Sequence, residues 1–221
     1  MTHEEILQGL YDKTLVGNKP DVVELTERGL EDGLEPTTML FDALIPALEE
    51  VGARFERGDF FVPEMLIAGR AMTGALDLLR PLLAQTGAET IGTFLMGTVK
   101  GDVHDIGKNL VDIMLEGAGF KVVDLGVQVT PEAFIEGIHE HQPDVVGFSA
   151  FLTTTMPMFK VNIEAIEKAG LRDDVIVMVG GAPVTQEYAD AVGADGYAAD
   201  AATATRRAKE LLEGRRALAP A

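Results

Sequence analysis

The chain has no cysteine. That excludes a disulfide framework, a thiolate zinc site, an iron–sulfur cluster and a thiol nucleophile, and with them several enzyme classes. Basic residues are scarce: 18 Lys and Arg stand against 36 Asp and Glu, a formal net charge of −18. The acidic excess is spread over both halves and leaves no basic face able to grip a phosphate backbone, so nucleic acid is not an expected partner. Solubility is the plainer account of the acidity, with steering toward basic partner proteins as the second. Nor is there an apolar run of the roughly 18 residues that a membrane span needs. The opening Met1-Thr2-His3-Glu4-Glu5 resembles neither a secretory signal nor an Arg-rich transit peptide. A cytoplasmic protein with no membrane partner is expected.

What is present falls into two rhythms. Up to Leu83 the apolar spacing is helical: Ile6, Leu7, Leu10 and Leu15, then Val22, Val23, Leu25 and Leu30, then Leu40, Leu44, Leu48, Val51 and Phe55. A fourth helix starts near Pro63, a residue suited to a first turn, and runs to about Leu83. Residues 1–88 are thus expected to form a four-helix bundle. Pro81–Glu89 reads as a linker or surface loop. Beyond it, short strands at Ile91–Met96, Lys121–Leu125, Asp144–Phe148, Val175–Val179 and Gly196–Ala198 alternate with helices. That alternation predicts, over residues 89–214, a five-stranded parallel sheet of the doubly wound, flavodoxin or Rossmann-like kind, covered on both faces. Residues 215–221 are expected to be a disordered tail.

In such sheets ligands bind beyond the carboxyl ends of the strands, at the switch point of strand order. The segment Gly101-Asp102-Val103-His104-Asp105-Ile106-Gly107 follows the first strand into that place. It puts a loop imidazole two residues after a carboxylate, an arrangement in which the carboxylate can fix the tautomer while the imidazole holds a metal. Taken alone, His104 is better explained by a hydrogen bond to the helix it precedes. Zinc fits poorly, because no second His or Cys stands at ligand spacing, and His139 and His141 read as surface residues. One imidazole suffices only if the metal arrives already held by a macrocycle. Ser149, Thr153, Thr154 and Thr155 cluster at the end of the third strand, and Gly180-Gly181 ends the fourth. The hydroxyls could line a polar slot or cap a helix, and the glycines could admit a ligand or simply make a turn.

The spacing of these pieces resembles the corrinoid-binding signature of cobalamin-dependent methyltransferases: Asp-x-His-x-x-Gly, about forty residues, Ser-x-Leu, just under thirty residues, Gly-Gly. Here 41 residues separate Gly107 from Ser149, and 28 separate Phe151 from Gly180. Phe151 stands where the family usually has leucine. In the helical half, Val51-Gly52-Ala53-Arg54-Phe55 and Phe60-Phe61-Val62-Pro63-Glu64-Met65 look like the family's helical cap. Nearly the whole chain is similar to the stand-alone corrinoid proteins of methyltransferase systems and to the cobalamin-binding region of methionine synthase.

The resemblance implies cobalamin or a related corrinoid bound base-off, with His104 as the lower cobalt ligand and Asp102 as its hydrogen-bonded partner. Gly101, Val103, Asp105, Ile106 and Gly107 would line the ligand loop. Ser149, Phe151, Thr153 and Thr155 would line the slot for the displaced nucleotide tail, and Gly180, Gly181, Tyr197 and Ala198 its far end. Phe61 and Met65 head a helical stripe that continues through Ala68 and Met72. That stripe could cap the upper face or simply be bundle core, and Phe61 is the better cap. The implied function is a methyl carrier, a subunit without an acid, base or nucleophile of its own. It takes a methyl group from a substrate-specific methyltransferase and delivers it to an acceptor, tetrahydrofolate or a thiol, on a second methyltransferase. A reductive activase would be a further partner, and a homodimer stays open. The alternatives are a cobalamin-binding sensor, which would be expected to carry an output domain, and a flavodoxin-like interaction or phosphoacceptor domain with Asp102 or Asp105 as its acidic pocket.

Overall fold

A computed structural model describes residues 1–86 and 90–218. It divides the chain into two compact units: one of residues 1–89 with 117–119, the other of residues 90–116 with 120–221.

In the first unit, α1 (His3–Leu15), α2 (Lys19–Glu31), α4 (Ile45–Glu56) and α5 (Val62–Thr86) form the bundle, with a single turn, α3 (Pro36–Met39), leading into α4. The starts follow local chemistry. Thr2 and Glu5 close a capping box on α1, and the Asn18 side chain accepts from the Asp21 N–H at the head of α2. Ile6, Leu10, Val22, Leu44, Leu48, Val51 and Met72 are buried at helical spacing.

The structure departs from the expected helices in two places, each at a proline. Between α3 and α4, residues Leu40–Leu44 adopt a π-helical turn, in which the Ile45 N–H reaches back to the Leu40 carbonyl. Pro46 has no N–H to give the Asp42 carbonyl, so the ladder slips by one residue before the helix resumes. The second is Pro81, where a linker was expected; α5 instead runs through it to Thr86. Asp77 and Pro81 both lie on the exposed side, so the carbonyl deprived of a partner is within reach of water. The rest of the expected linker, residues 87–89, lies outside the described residues.

The second unit is a parallel sheet of β1 (Thr93–Thr98), β2 (Lys121–Asp124), β3 (Val145–Ser149), β4 (Ile176–Gly180) and β5 (Gly196–Ala198), in the order β2-β1-β3-β4-β5. Leu95, Val146, Phe148, Val177 and Val179 point to one face. There they pack with Phe134 and Ile138 of α7 (Pro131–His141), Phe159, Ile163 and Ile166 of α8 (Pro157–Lys168), and Ala189 of α9 (Gln186–Val192). The alternate residues take the other face, to which the right-handed β1–β2 crossover assigns α6 (Ile106–Gly117); α10 (Ala201–Leu218) lies there too, its Leu211 beside Gly196 and Met178. The last helix reaches Leu218, so residues 215–218 are helical where a frayed tail was expected. Residues 219–221 lie outside the described part.

The chain leaves β1 toward β2 on one side and returns to β3 on the other. The carboxyl ends of β1 and β3 therefore flank the switch point, where neighbouring connections diverge and leave a crevice.

Candidate corrinoid site

Five hydrogen bonds gather around Asp102, which is fully buried. Its Oδ1 accepts from the His104 backbone N–H at 3.1 Å and lies 2.7 Å from His104 Nδ1. Its Oδ2 accepts from the Phe151 N–H at 2.8 Å, the Leu152 N–H at 3.2 Å and the Thr155 hydroxyl at 2.7 Å. Burial alone would raise the carboxyl pKa. The bonds from Thr155, His104 and Phe151 outweigh it and hold Asp102 well below the usual carboxylate range.

An ionised Asp102 can only accept, so His104 Nδ1 carries the proton and donates it, and the lone pair of the neutral ring stays on Nε2. The imidazole stacks on Phe151 with ring centroids 4.4 Å apart, and its side chain is 45% exposed. The ring is thus held at Nδ1 and on one face.

Backbone ties hold the loop itself. The Asp102 N–H donates to the Val99 carbonyl, the Gln128 N–H donates to the Asp102 carbonyl, and the Thr98 hydroxyl donates to the His104 carbonyl at 3.0 Å. Gly101 takes a positive φ of 86°, which the turn out of β1 requires.

The remaining expected residues are distributed unevenly. Ser149 ends β3 in register with Thr98 and Gly180. Thr153 is exposed, whereas Thr155 is buried and bonded to Asp102. Gly181 has φ 132°, and a Cβ there would strike the Ala150 carbonyl. Tyr197 is half-buried and Ala198 buried in β5. Val103, Asp105, Ile106 and Gly107 are exposed, Ile106 at 71%. In the helical unit, Phe61 is 65% exposed at the start of α5, where its N–H donates to Glu64. Met65 is fully buried with Ala68 and Met72, so of that stripe only Phe61 presents a free side chain. Asp102 is saturated with donors, which leaves it no open oxygen for the phosphoacceptor alternative, whereas Asp105 is exposed.

A B12 binding domain is matched over residues 92–206, and a second over residues 6–80. The chain belongs to the B12-binding corrinoid proteins. The dimethylamine corrinoid protein of Methanosarcina barkeri is 44% identical to it, covering 96% of this chain and all of the relative. Among solved structures, a chain of the methanol:cobalamin methyltransferase complex from Methanosarcina barkeri matches with a TM-score of 0.83 at 28% identity, over 98% of this chain and 86% of that one. A cobalamin-binding protein from Desulfitobacterium hafniense matches at 0.74 and 28%, over 92% and 97%.

A corrinoid suits the residues present. Gly107 has no positive φ, and a Cβ built on it meets nothing within 4 Å, so neither backbone nor packing in this corrinoid protein calls for glycine there. A bulky planar group lying over the loop would. The exposed apolar side chains Val103, Ile106, Phe151 and Leu152 follow the ends of β1 and β3 at the switch point, where an apolar face would cover them.

Sequence reasoning missed Lys108. It is 2% exposed, and its ammonium reaches Asn109 Oδ1 at 2.7 Å, Asp112 Oδ2 at 3.0 Å and Asp124 Oδ2 at 2.6 Å. Burial pushes Asp112 up to about 7 against the pull of Lys108. A lysine in the first turn of an amphipathic helix reads as a solvated charge, and only its distance to a carboxylate sixteen residues later shows otherwise. Among the described residues no three His, Asp or Glu side chains group to hold a metal ion, and no helix is long and apolar enough to cross a membrane.

Proposed function

We propose that this chain is the methyl-carrying corrinoid subunit of a methylamine methyltransferase system, in which His104 would hold the cobalt of a base-off corrinoid. The single observation that carries the reading is the His104–Asp102–Thr155 unit: an imidazole held at Nδ1 by a buried carboxylate, its Nε2 free, set among exposed apolar side chains at the switch point. A bound corrinoid would supply the methyl-transfer chemistry.

The chain's own groups do the rest. Asp102 fixes the ligating tautomer of His104 through a charge-assisted hydrogen bond. Thr155 donates to Asp102 Oδ2 and stabilises the ionised form of that carboxylate. Phe151 stops the ring from turning. Ser149, Thr153, Gly180, Gly181, Tyr197 and Ala198 lie along the ends of β3, β4 and β5 and line the slot for the nucleotide tail.

Methylated amines are the donor class, on the strength of the near full-length likeness to dimethylamine and trimethylamine corrinoid proteins. The donor methyltransferase, an acceptor methyltransferase and a reductive activase are the partners. The test is to refold the protein with hydroxocobalamin, desalt it and record the spectrum. One corrinoid per chain is expected and, after loading with cobinamide, which carries no nucleotide base, nitrogen splitting in the electron resonance of the cob(II) state that His104→Ala abolishes. A colourless protein after desalting, or splitting that survives the substitution, would overturn the reading.

A further inference from the structure

We infer that Lys108 and Asp124 act together as a positioning pair for the Asp102–His104 unit. The inference rests on the reading of His104 as the cobalt ligand, but its geometry stands within the sheet unit alone.

Lys108 lies in the first turn of α6, directly after the loop that carries His104. Its ammonium is buried, and three acceptors surround it, the shortest bond being that to Asp124 at the end of β2. Asp124 uses both oxygens. While Oδ2 takes Lys108, Oδ1 accepts the Gly126 N–H at 2.8 Å and pins the turn that follows β2. That turn contains two residues of positive φ, Gly126 at 80° and Gln128 at 55°. A non-glycine residue in the left-handed region needs neighbours that hold it there.

The pinned turn then meets the ligand loop from the other side. The Gly126 carbonyl accepts the Thr98 N–H at 2.9 Å, and the Gln128 N–H donates to the Asp102 carbonyl at 3.1 Å. Thr98, fully buried, donates its hydroxyl to the His104 carbonyl. A closed circuit results: Lys108 to Asp124, Asp124 to Gly126, Gly126 to Thr98, Thr98 to His104, and back along the chain to Lys108. The segment 101–107 is therefore clamped between a helix start and a strand end by one buried cation. A neutral side chain at Lys108 would leave Asp124 free to swing toward solvent, since its side chain is already 41% exposed. The Gly126–Gln128 turn would loosen, and the Asp102 carbonyl would lose its donor.

The experiment measures amide hydrogen exchange on the corrinoid-free chain, comparing the Gln128 and Phe151 N–H groups with that of Val146 in the central strand β3. In both Lys108→Met and Asp124→Ala, Gln128 and Phe151 are expected to exchange at least tenfold faster beyond any change at Val146. Asp112→Asn, which removes a Lys108 contact off the circuit, should leave Gln128 and Phe151 unchanged relative to Val146. The second arm loads the proteins with cobinamide, which lacks a nucleotide base, so that nitrogen splitting in the cob(II) resonance comes only from the protein. That splitting should be complete in the parent and weakened or mixed in the two variants. Equal acceleration at all three amides would mean a general loss of stability and would overturn the inference, as would a parental pattern in Asp124→Ala. Should Lys108→Met fail to fold, Asp124→Ala decides alone. A parent protein that takes up no corrinoid refutes the proposed function, while the exchange arm still decides the role of the pair.

Discussion

Replacing Asp102 by Asn changes one atom and should unmake the ligand. The carboxylate serves two sides: two donors from His104 on Oδ1, and three from Phe151, Leu152 and Thr155 on Oδ2. An amide has one oxygen to offer. Three donors outbid two, so the oxygen turns to Phe151, Leu152 and Thr155, and the NH2 group faces His104. The His104 backbone N–H then lacks an acceptor, at about 1–3 kcal/mol, and the three retained bonds weaken as their acceptor becomes neutral. Lighter desolvation of a neutral amide offsets part of this, leaving a net cost of about 2–3 kcal/mol to the sheet unit. The larger effect is on the tautomer. Facing an NH2 donor, Nδ1 must accept, so the ring proton moves to Nε2 and occupies the position a metal needs. Losing such a partner costs about 10–100-fold in metal affinity, or about 1.4–2.7 kcal/mol. Long-range proton–nitrogen spectra of the His104 ring, recorded on corrinoid-free protein at mildly alkaline pH, read the tautomer directly, and a cobinamide titration reads the affinity. A ring that keeps its proton on Nδ1 in Asp102→Asn, or an affinity within twofold of the parent, would refute the reasoning.

Three further substitutions probe other parts of the site. Gly107→Ala should leave thermal stability unchanged or raise it by up to about 1 kcal/mol, because the position is helical and open, while corrinoid uptake falls. Uptake equal to the parent would show that nothing lies over the loop. Gly181→Ala should cost about 3 kcal/mol in denaturant unfolding, since φ 132° is strained for alanine and its Cβ meets the Ala150 carbonyl. A loss below about 1 kcal/mol would contradict that. Asp112 is held up at about 7 by burial, so the folded sheet unit keeps its proton more tightly than the unfolded chain does. Its contribution is complete below the unfolded value of ~3.9 and drains away as pH rises to about 7. Asp112→Asn should therefore flatten the decline between pH 4 and 7 and stabilise the protein at pH 8 by about 1–3 kcal/mol. An equal decline in parent and variant would refute it.

The helices and strands were legible wherever local chemistry repeats at a fixed interval. Apolar residues every three or four positions marked the bundle, and short β-branched runs between helices marked the sheet. Strand boundaries shifted by one or two residues, as at β1, because pairing with Val145–Ser149 and Lys121–Asp124 decides where a strand stops. Pro46 and Pro81 were harder. A proline forbids one hydrogen bond, but whether the chain answers with a π turn, a continued helix or a loop depends on which side of the helix meets water.

At the site, chain order alone was enough for His104 and Asp102, because two residues of loop bring carboxylate and imidazole together whatever the rest of the fold does. The spacing to Ser149 and Gly180 worked for the same reason: in a doubly wound sheet each strand end is a fixed number of helix and strand lengths away. The choice among hydroxyls could not be made that way. Ser149, Thr153, Thr154 and Thr155 share one short segment, yet only Thr155 is turned back onto Asp102, and the turn after β3 decides that. Phe151 stacking on His104, the burial of Met65 and the burial of Lys108 against Asp124 belong to the same class. Each depends on what lies across a gap of space rather than along the chain. Residue type and local spacing set what a group can do, and packing between distant segments sets which of several equal candidates does it.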